Sequence, residues 1–306
     1  MDINHLSTYC VVIEAGSISR AAKELYVTQP AISQKIQDLE EHYQVQLLER
    51  TNRGIKPTEI GLFLYSEAQK VLALTANIQR EINAIKNPSE ELAVGASSTI
   101  GNFALPCTML AFRNRHPGYS VSIDIDNSDN LIKKMLGHRI EIALVEGPLK
   151  PNLTQQIAEE GIAIKRIAQT KLILITKADG RYRDLKFVGI KELIDLPFIT
   201  REVGSGIRAS IEKVLIEKGF SINSFKILHE LNTINSIVSA VTSDIGVALL
   251  PAMSVRKEIR YKIVKPIRIK ELKFKHELNL LYHDHARKQS YKAFIKLINS
   301  KDRGFC

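Results

Sequence analysis

Apolar positions in the first forty residues recur with the period of a helix. Leu6, Tyr9, Val12 and Ile13 predict a helix over residues 4–14. Ile18, Ala21, Ala22 and Leu25 share a face of a second, short helix that Ser17 is placed to cap, and Tyr26 and Val27 break it. Ile32, Ile36 and Leu39 stripe a third helix that begins at Thr28, where Pro30 is tolerated because first-turn amides lack helical acceptors. The small side chains of Ala21 and Ala22 allow the close crossing of a helix-turn-helix. The third helix turns Thr28, Gln29, Ser33, Gln34, Lys35 and Gln37 outward. Such hydroxyl, amide and ammonium groups suit base edges and phosphates in a major groove. The same pattern also describes an ordinary helical hairpin with a solvated polar face.

After Glu41 the period changes. Val45, Leu47 and Leu48 lead into ERTNRGIKPT, a short hairpin turning at Gly54 that carries Arg50, Arg53 and Lys56. Directly after a helix-turn-helix, it reads as a wing whose cations meet the phosphate backbone or minor groove; a solvated basic loop is the alternative. Thr58 caps a long helix running to about Ile85, which Asn87-Pro88 ends. Along it Leu64, Ala68, Val71, Thr75, Ile78, Ile82 and Ile85 repeat at spacings of 4, 3, 4, 3, 4 and 3. That seam must be buried, against a second copy of the chain or against the chain's own C-terminal region.

From Glu91 strands and helices alternate, the pattern of an α/β domain. Strands are expected from Leu92 and Val94 into GASSTIG, at Val121–Ile125, Ile140–Val145 and LILIT (172–176), near Phe225–Leu228, and at Gly246–Pro251 and Leu278–Tyr282. Helices are expected at Leu105–Phe112, Leu131–Leu136, Ile207–Lys218, from Thr233, and at Tyr291–Ile298. The chain is expected to cross into a second lobe near Lys165–Thr176 and to return to the first at its end.

Composition narrows the class. The chain has 306 residues, 44% hydrophobic and 25% charged, ordinary for a globular protein of two or three domains. No apolar run reaches the roughly 18 residues of a membrane span. The N-terminus lacks a basic segment before its apolar residues, so a cytoplasmic location and no membrane partner are expected. Cys10, Cys107 and Cys306 are scattered, which suggests reduced thiols, those of Cys10 and Cys107 inert in apolar surroundings. The formal charge of +10 does not mark the head: residues 1–90 hold 9 Lys and Arg against 11 Asp and Glu, whereas residues 253–306 hold 15 against 5. A nucleic-acid reading therefore rests on local placement.

Enzyme chemistry finds little support. No HExxH pair, nucleophile elbow or phosphate-cradling loop occurs, and GSG at 204–206 is too short for a dinucleotide fingerprint. His283-Asp284-His285 could approach a metal, but neighbours on a strand end point to opposite faces. No metal or cofactor is expected. Three loops could hold a small ligand. Ser97-Ser98-Thr99 joins a strand to a helix N-terminus, which favours an anion, and equally reads as a cap. Thr200-Arg201-Glu202-Val203-Gly204-Ser205-Gly206 joins a planar guanidinium to glycines that permit close backbone approach. Thr233 starts another helix. Glu146, ending a strand, would repel an anion unless paired, with Arg201 or Arg208 as candidates.

Ala21-Ala22, Leu25, Thr28-Gln29-Pro30-Ala31, Ser33, Ile36 and Leu39-Glu40, followed by Leu47, Arg50, Arg53, Pro57-Thr58 and Gly61, resemble the N-terminal winged helix-turn-helix of LysR-type transcriptional regulators. The resemblance continues to about residue 300. Gln34 and Leu48 depart from the usual arginine and phenylalanine. It implies a winged helix-turn-helix at 1–58, a linker and dimerisation helix at 59–88 and a two-lobed, periplasmic-binding-protein-like α/β effector domain at 89–306. Lobe I would take about 89–163 and 269–306, and lobe II about 164–268. It further implies that the three loops and Glu146 line the interlobe cleft, that a small effector controls DNA binding, that the chain forms dimers or tetramers, and that RNA polymerase is a partner; the hydroxyls, the helix N-terminus and Arg201 of those loops suit an anionic effector. GASSTIG, VEGP and REVGSGIR are similar to a subset regulating sulfur or carbon assimilation. Two other readings stay open: an architectural DNA-binding protein whose second domain only assembles it, and a solute-binding protein with a helical head.

Overall fold

The computed structural model describes residues 2–51, 54–86, 91–270, 272–283 and 288–305; side chains at 50, 51, 73, 77, 80, 81 and 83–86 lie outside that description. It contains two compact units, the first built on the chain up to Lys86.

The first unit comprises α1 (Ile3–Ala15), α2 (Ile18–Glu24), α3 (Gln29–Tyr43), β1 (Leu48–Thr51), β2 (Gly54–Pro57) and α4 (Glu59–Lys86). Leu6, Tyr9, Val12, Ala21, Ala22, Ile32, Ile36 and Leu39 meet in its core, so the helical periodicity places its apolar residues as expected. Asp2 accepts the His5 amide at 3.0 Å in a reciprocal cap that opens α1. Gly16 ends α1 in the left-handed region, with φ of 63°. Ser17 and Thr28 hold the N-cap positions of α2 and α3 without side-chain bonds to the helix amides. One side chain locks the wing: Glu40 Oε1 accepts from the amides of Leu47 at 2.7 Å and Leu48 at 3.1 Å. β1 and β2 then pair antiparallel from Leu48↔Pro57 to Thr51↔Gly54. Gly61 is obligatory by sterics, since a Cβ there would lie 2.2 Å from the Leu47 carbonyl oxygen.

The first turns of α4 belong to this core, which corrects the expected seam. Ala68 is only 1% exposed, and Leu64 packs half-buried beside it. The exposed apolar row runs instead through Phe63, Val71, Leu74, Ile78 and Ile82. Of the other seam positions, Thr75 turns its hydroxyl to the Val71 carbonyl, and the Ile85 side chain lies outside the described residues.

The second unit is α/β. Its elements are β3 (Glu91–Ser97), α5 (Leu105–Arg115), β4 (Ser120–Asp126), α6 (Ser128–Leu136), β5 (Ile142–Glu146), α7 (Pro151–Glu159), β6 (Ile162–Lys177), β7 (Phe187–Val188), α8 (Ile190–Asp195), β8 (Phe198–Arg201), α9 (Gly206–Ile216), β9 (Ile227–Leu231), α10 (Ile234–Thr242), β10 (Ala248–Pro251), α11 (Arg256–Arg260), β11 (Val264–Ile269), β12 (Phe274–His283) and α12 (Gln289–Asn299). The main sheet runs β4-β3-β5-β12-β6-β11-β7, with β10 also on β6 and a separate parallel pair β8-β9. β6 is 16 residues long and, with β12, passes from one lobe to the other. On one side α5 and α12 cover a core around Leu92, Phe112, Leu144 and Phe294; on the other, α9 and α10 cover a core around Leu174, Phe198, Ile211 and Val247. The strand expected at Phe225–Leu228 begins later, because Ile222–Ser224 closes a 3₁₀ turn first. The helix expected from Leu105 is preceded by a π segment, Ile100–Ala104. Pro106 explains it: proline has no amide for the Asn102 carbonyl, and its ring crowds that carbonyl, so the helix widens.

Candidate functional site

In the first unit the third helix leaves Thr28, Gln29, Pro30 and Gln34 exposed, with Ser33 and Lys35 half-buried. Because Thr28 makes no side-chain cap, its hydroxyl is uncommitted to the helix amides. Gln29 and Ser33 lie one turn apart on the same helix. Gln34 donates to Asp38 at 2.9 Å, and Lys35 reaches the Thr8 hydroxyl at 3.4 Å, so these two are turned along the protein surface. On the wing, Lys56 is exposed on β2 opposite Glu49. Arg53 and the Arg50 side chain lie outside the described residues. At the break between the second and third helices, Tyr26 is 95% exposed in the left-handed region, with φ of 54°.

In the second unit β8 is buried along its whole length and ends in Arg201, 2% exposed. Its Nη2 donates to Ser98 Oγ at 3.2 Å across the lobes. Its Nε and Nη2 are held bidentately by Glu202, at 2.8 and 3.0 Å. Nη1 has no partner, nor do the buried hydroxyls of Ser97, Thr99, Thr200 and Ser205. Those polar atoms come from both lobes.

Glu146 is not paired with Arg201 or Arg208, which corrects the sequence reading. Its Oε2 lies 3.0 Å from His276 Nε2, and His276 Nδ1 lies 2.9 Å from Ser210 Oγ, all three buried. Burial alone would raise the Glu146 pKa, but it is held below its ordinary value by the His276 bond, with the Thr99 hydroxyl and the Arg201 charge contributing. Arg208 pairs instead with Glu212 at 2.8 Å and Glu230 at 2.7 Å within its own lobe. His276 was legible only as an inward position of the alternation Phe274, His276, Leu278.

The glycines permit a close approach, but of the facing lobe. A Cβ on Gly206 would lie 1.8 Å from the Glu146 carbonyl oxygen, and one on Gly204 3.3 Å from Asn127 Oδ1. The Gly204 carbonyl accepts from the Asp129 amide at 3.2 Å. Thr233 is an N-cap, bonding the Ser236 amide at 3.1 Å, and is exposed. It lines a cavity of about 580 Å³ with Ser98, Asn102, Asn127, Asn130 and Glu202. Five of its eleven lining residues are asparagines, and the carboxylates there are paired: Asp126 with Lys134 at 2.9 Å, Glu202 with Arg201.

Cys10 is a buried free thiol, whereas Cys107 is exposed and disulfide-bonded, contrary to the reading of two inert buried thiols. Asp284 and His285 lie outside the described residues, and among the described residues no cluster suits a metal. Among them, too, no helix is long and apolar enough to cross a membrane.

Two family models match the chain: one described as the LysR substrate binding domain over residues 86–303, the other as the bacterial regulatory helix-turn-helix protein, lysR family, over residues 3–62. Among curated proteins it is 30% identical, over 87% of its length and 85% of the relative's, to the probable RuBisCO transcriptional regulator of Trieres chinensis. Its identity to the protein of that name from Cyanophora paradoxa is also 30%, over 89% of this chain and 84% of the other. Among solved structures it is similar in fold to CbnR, a LysR family transcriptional regulator, with a TM-score of 0.68, 21% identity and coverage of 97% and 98%. Full-length CbnR complexed with its target DNA gives 0.66 at 22% identity, with the same coverage.

Proposed function

This chain belongs to the LysR family and is a DNA-binding transcriptional regulator with an effector-binding domain, and we propose that its effector is a small acceptor-rich anion seated between the lobes. One observation carries the proposal. Ser97, Thr99, Thr200, Arg201 Nη1 and Ser205 are buried polar groups without partners, and all can donate. An unmet buried donor costs roughly 1–3 kcal/mol, and a charge-assisted bond contributes about as much, so a ligand presenting several acceptor oxygens satisfies groups that the protein leaves unpaired. The Glu146 carboxylate is engaged by His276 rather than turned free towards such a ligand.

The effector acts by binding one lobe arrangement better than another. The chain acts as a homodimer or tetramer through the exposed face of α4, with two reading heads on a partly symmetric site, and recruits or obstructs RNA polymerase in the cytoplasm. The relatives' names direct genome-wide mapping of bound DNA first to genes of carbon assimilation. Calorimetry with carboxylates, sulfate and phosphorylated metabolites tests the effector. Arg201→Ala is expected to weaken the bound anion at least about tenfold, the worth of one charge-assisted bond, and to abolish its effect on DNA footprints. It should leave DNA affinity without effector within about twofold, since Arg201 lies in a separate unit from the reading helix. A ligand that is cationic or wholly apolar, or is held equally by Arg201→Ala, would overturn the reading.

A further inference from the structure

A second concave site lies in the lobe built on β8–β11, outside the cleft. Between Leu172 and Leu174 the edge of β6 passes from one partner strand to another: Leu172 pairs with Phe274 of β12, and Leu174 with Ile267 of β11. The sheet parts at this handover and a cavity of about 540 Å³ opens there. Leu172, Leu174, Ile267, Leu272 and Phe274, all buried, contribute to its lining and to that lobe's core. Its rim carries Lys171, Lys186, Arg268, Lys270, Lys273 and Lys275, all exposed. Among the described residues none of the six makes an ion pair.

Clustering six cations that pair with no carboxylate among the described residues costs mutual repulsion, while it focuses a positive potential over one concavity. The volume lies within the range of small-molecule sites. Rim and floor ask for different things. Several anionic groups satisfy the cations, and a planar or apolar body covers the floor. An inorganic ion uses the rim alone, and a DNA backbone, polar and convex, does not enter a cavity with an apolar floor. The geometry points to a binding site for a nucleoside polyphosphate, its phosphates on the lysines and Arg268 and its base against Ile267, Leu272 and Phe274. The site is independent of the interlobe effector.

The test is calorimetry of the full chain with adenosine triphosphate and with inorganic triphosphate, at low and at physiological salt. Arg268→Glu with Lys275→Glu reverses two rim charges at exposed positions, and thermal unfolding verifies the variant's fold; the milder Lys273→Gln serves if it does not fold. Adenosine triphosphate should bind the native chain at least about tenfold more tightly than inorganic triphosphate, and the double variant about tenfold or more weakly, with a salt dependence that flattens as charges are removed. Lys273→Gln should give a smaller loss. Arg201→Ala should bind it as the native chain does, so failure of the cleft reading and failure of this one are separable. No binding by the native chain, equal binding of inorganic triphosphate, or undiminished binding by the folded variants would overturn the proposal. So would a double variant that holds the nucleotide normally but loses affinity for all DNA, which would assign the face to DNA.

Discussion

A reading helix divides its labour by residue. Gln29 offers both a donor and an acceptor and is exposed at the start of α3, and such an amide is able to bond a base bidentately. Lys56 on the wing offers only charge. Gln29→Ala should therefore cost roughly 1–3 kcal/mol on the best operator and relax preference at one base pair. Lys56→Ala should weaken binding to all sequences alike and reduce the logarithmic salt slope by about 1. Footprinting and salt titration distinguish the two; a Gln29→Ala protein of unchanged preference would move base reading elsewhere on α3. Deep in the second unit Glu146 is a residue of another kind. Its folded pKa is depressed, so the stability it contributes is present above the unfolded value and lost as pH falls through the lower folded one. Acid titration of Glu146→Gln should show a shallower loss of stability on the acid side of the ordinary carboxylate range. An identical titration would mean that the His276 bond does not survive in solution.

At the scale of elements, α4 carries two apolar faces along one length. Its first turns complete the core of the head through Leu64 and Ala68, and the row from Val71 to Ile82 faces outward. Charges placed on these two faces should therefore fail differently. Ile78→Asp, at a position 53% exposed in the single chain, should leave the head folded and shift light scattering towards monomers, because a carboxylate is costly in an apolar seam. Ala68→Asp should unfold the head itself, seen as lost helical circular dichroism. Retained assembly in the folded Ile78→Asp protein would place the interface elsewhere. The heptad was legible because spacing needs no third dimension. Its assignment to one face was not, because two apolar rows wind along the same helix and only packing decides which is claimed at home.

For the effector domain as a whole, the decisive contact is backbone against backbone. The Gly206 turn seats on the Glu146 carbonyl with no room for a methyl group. Gly206→Ala forces one lobe away from the other, and such overpacking costs roughly 1–3 kcal/mol. In a domain of this size that is a fall of several degrees in melting temperature, roughly 2–4 °C for each kcal/mol. The expected signature is that fall together with a weakened response to effector, and an unchanged melting curve would show that the lobes close without this contact.

Local order and kind of element were written in the chain. The three helices of the head, the wing, the long helix and most strands of the α/β unit follow from apolar period, caps and turn residues, whose effects act over a few positions. The loops that meet at the cleft were also legible, since Ser97–Thr99 and Thr200–Gly206 carry hydroxyls, glycines and an arginine where strands end. What those groups bond to was not. Arg201 turned to Glu202 and Ser98, and Glu146 to His276, 130 residues away. The rim of lysines around the second cavity gathers residues from 171 to 275. Pairings over such distances are set by how strands cross between lobes and by which buried charge finds a partner. Desolvation makes that choice, and it acts only once the tertiary structure has removed the water.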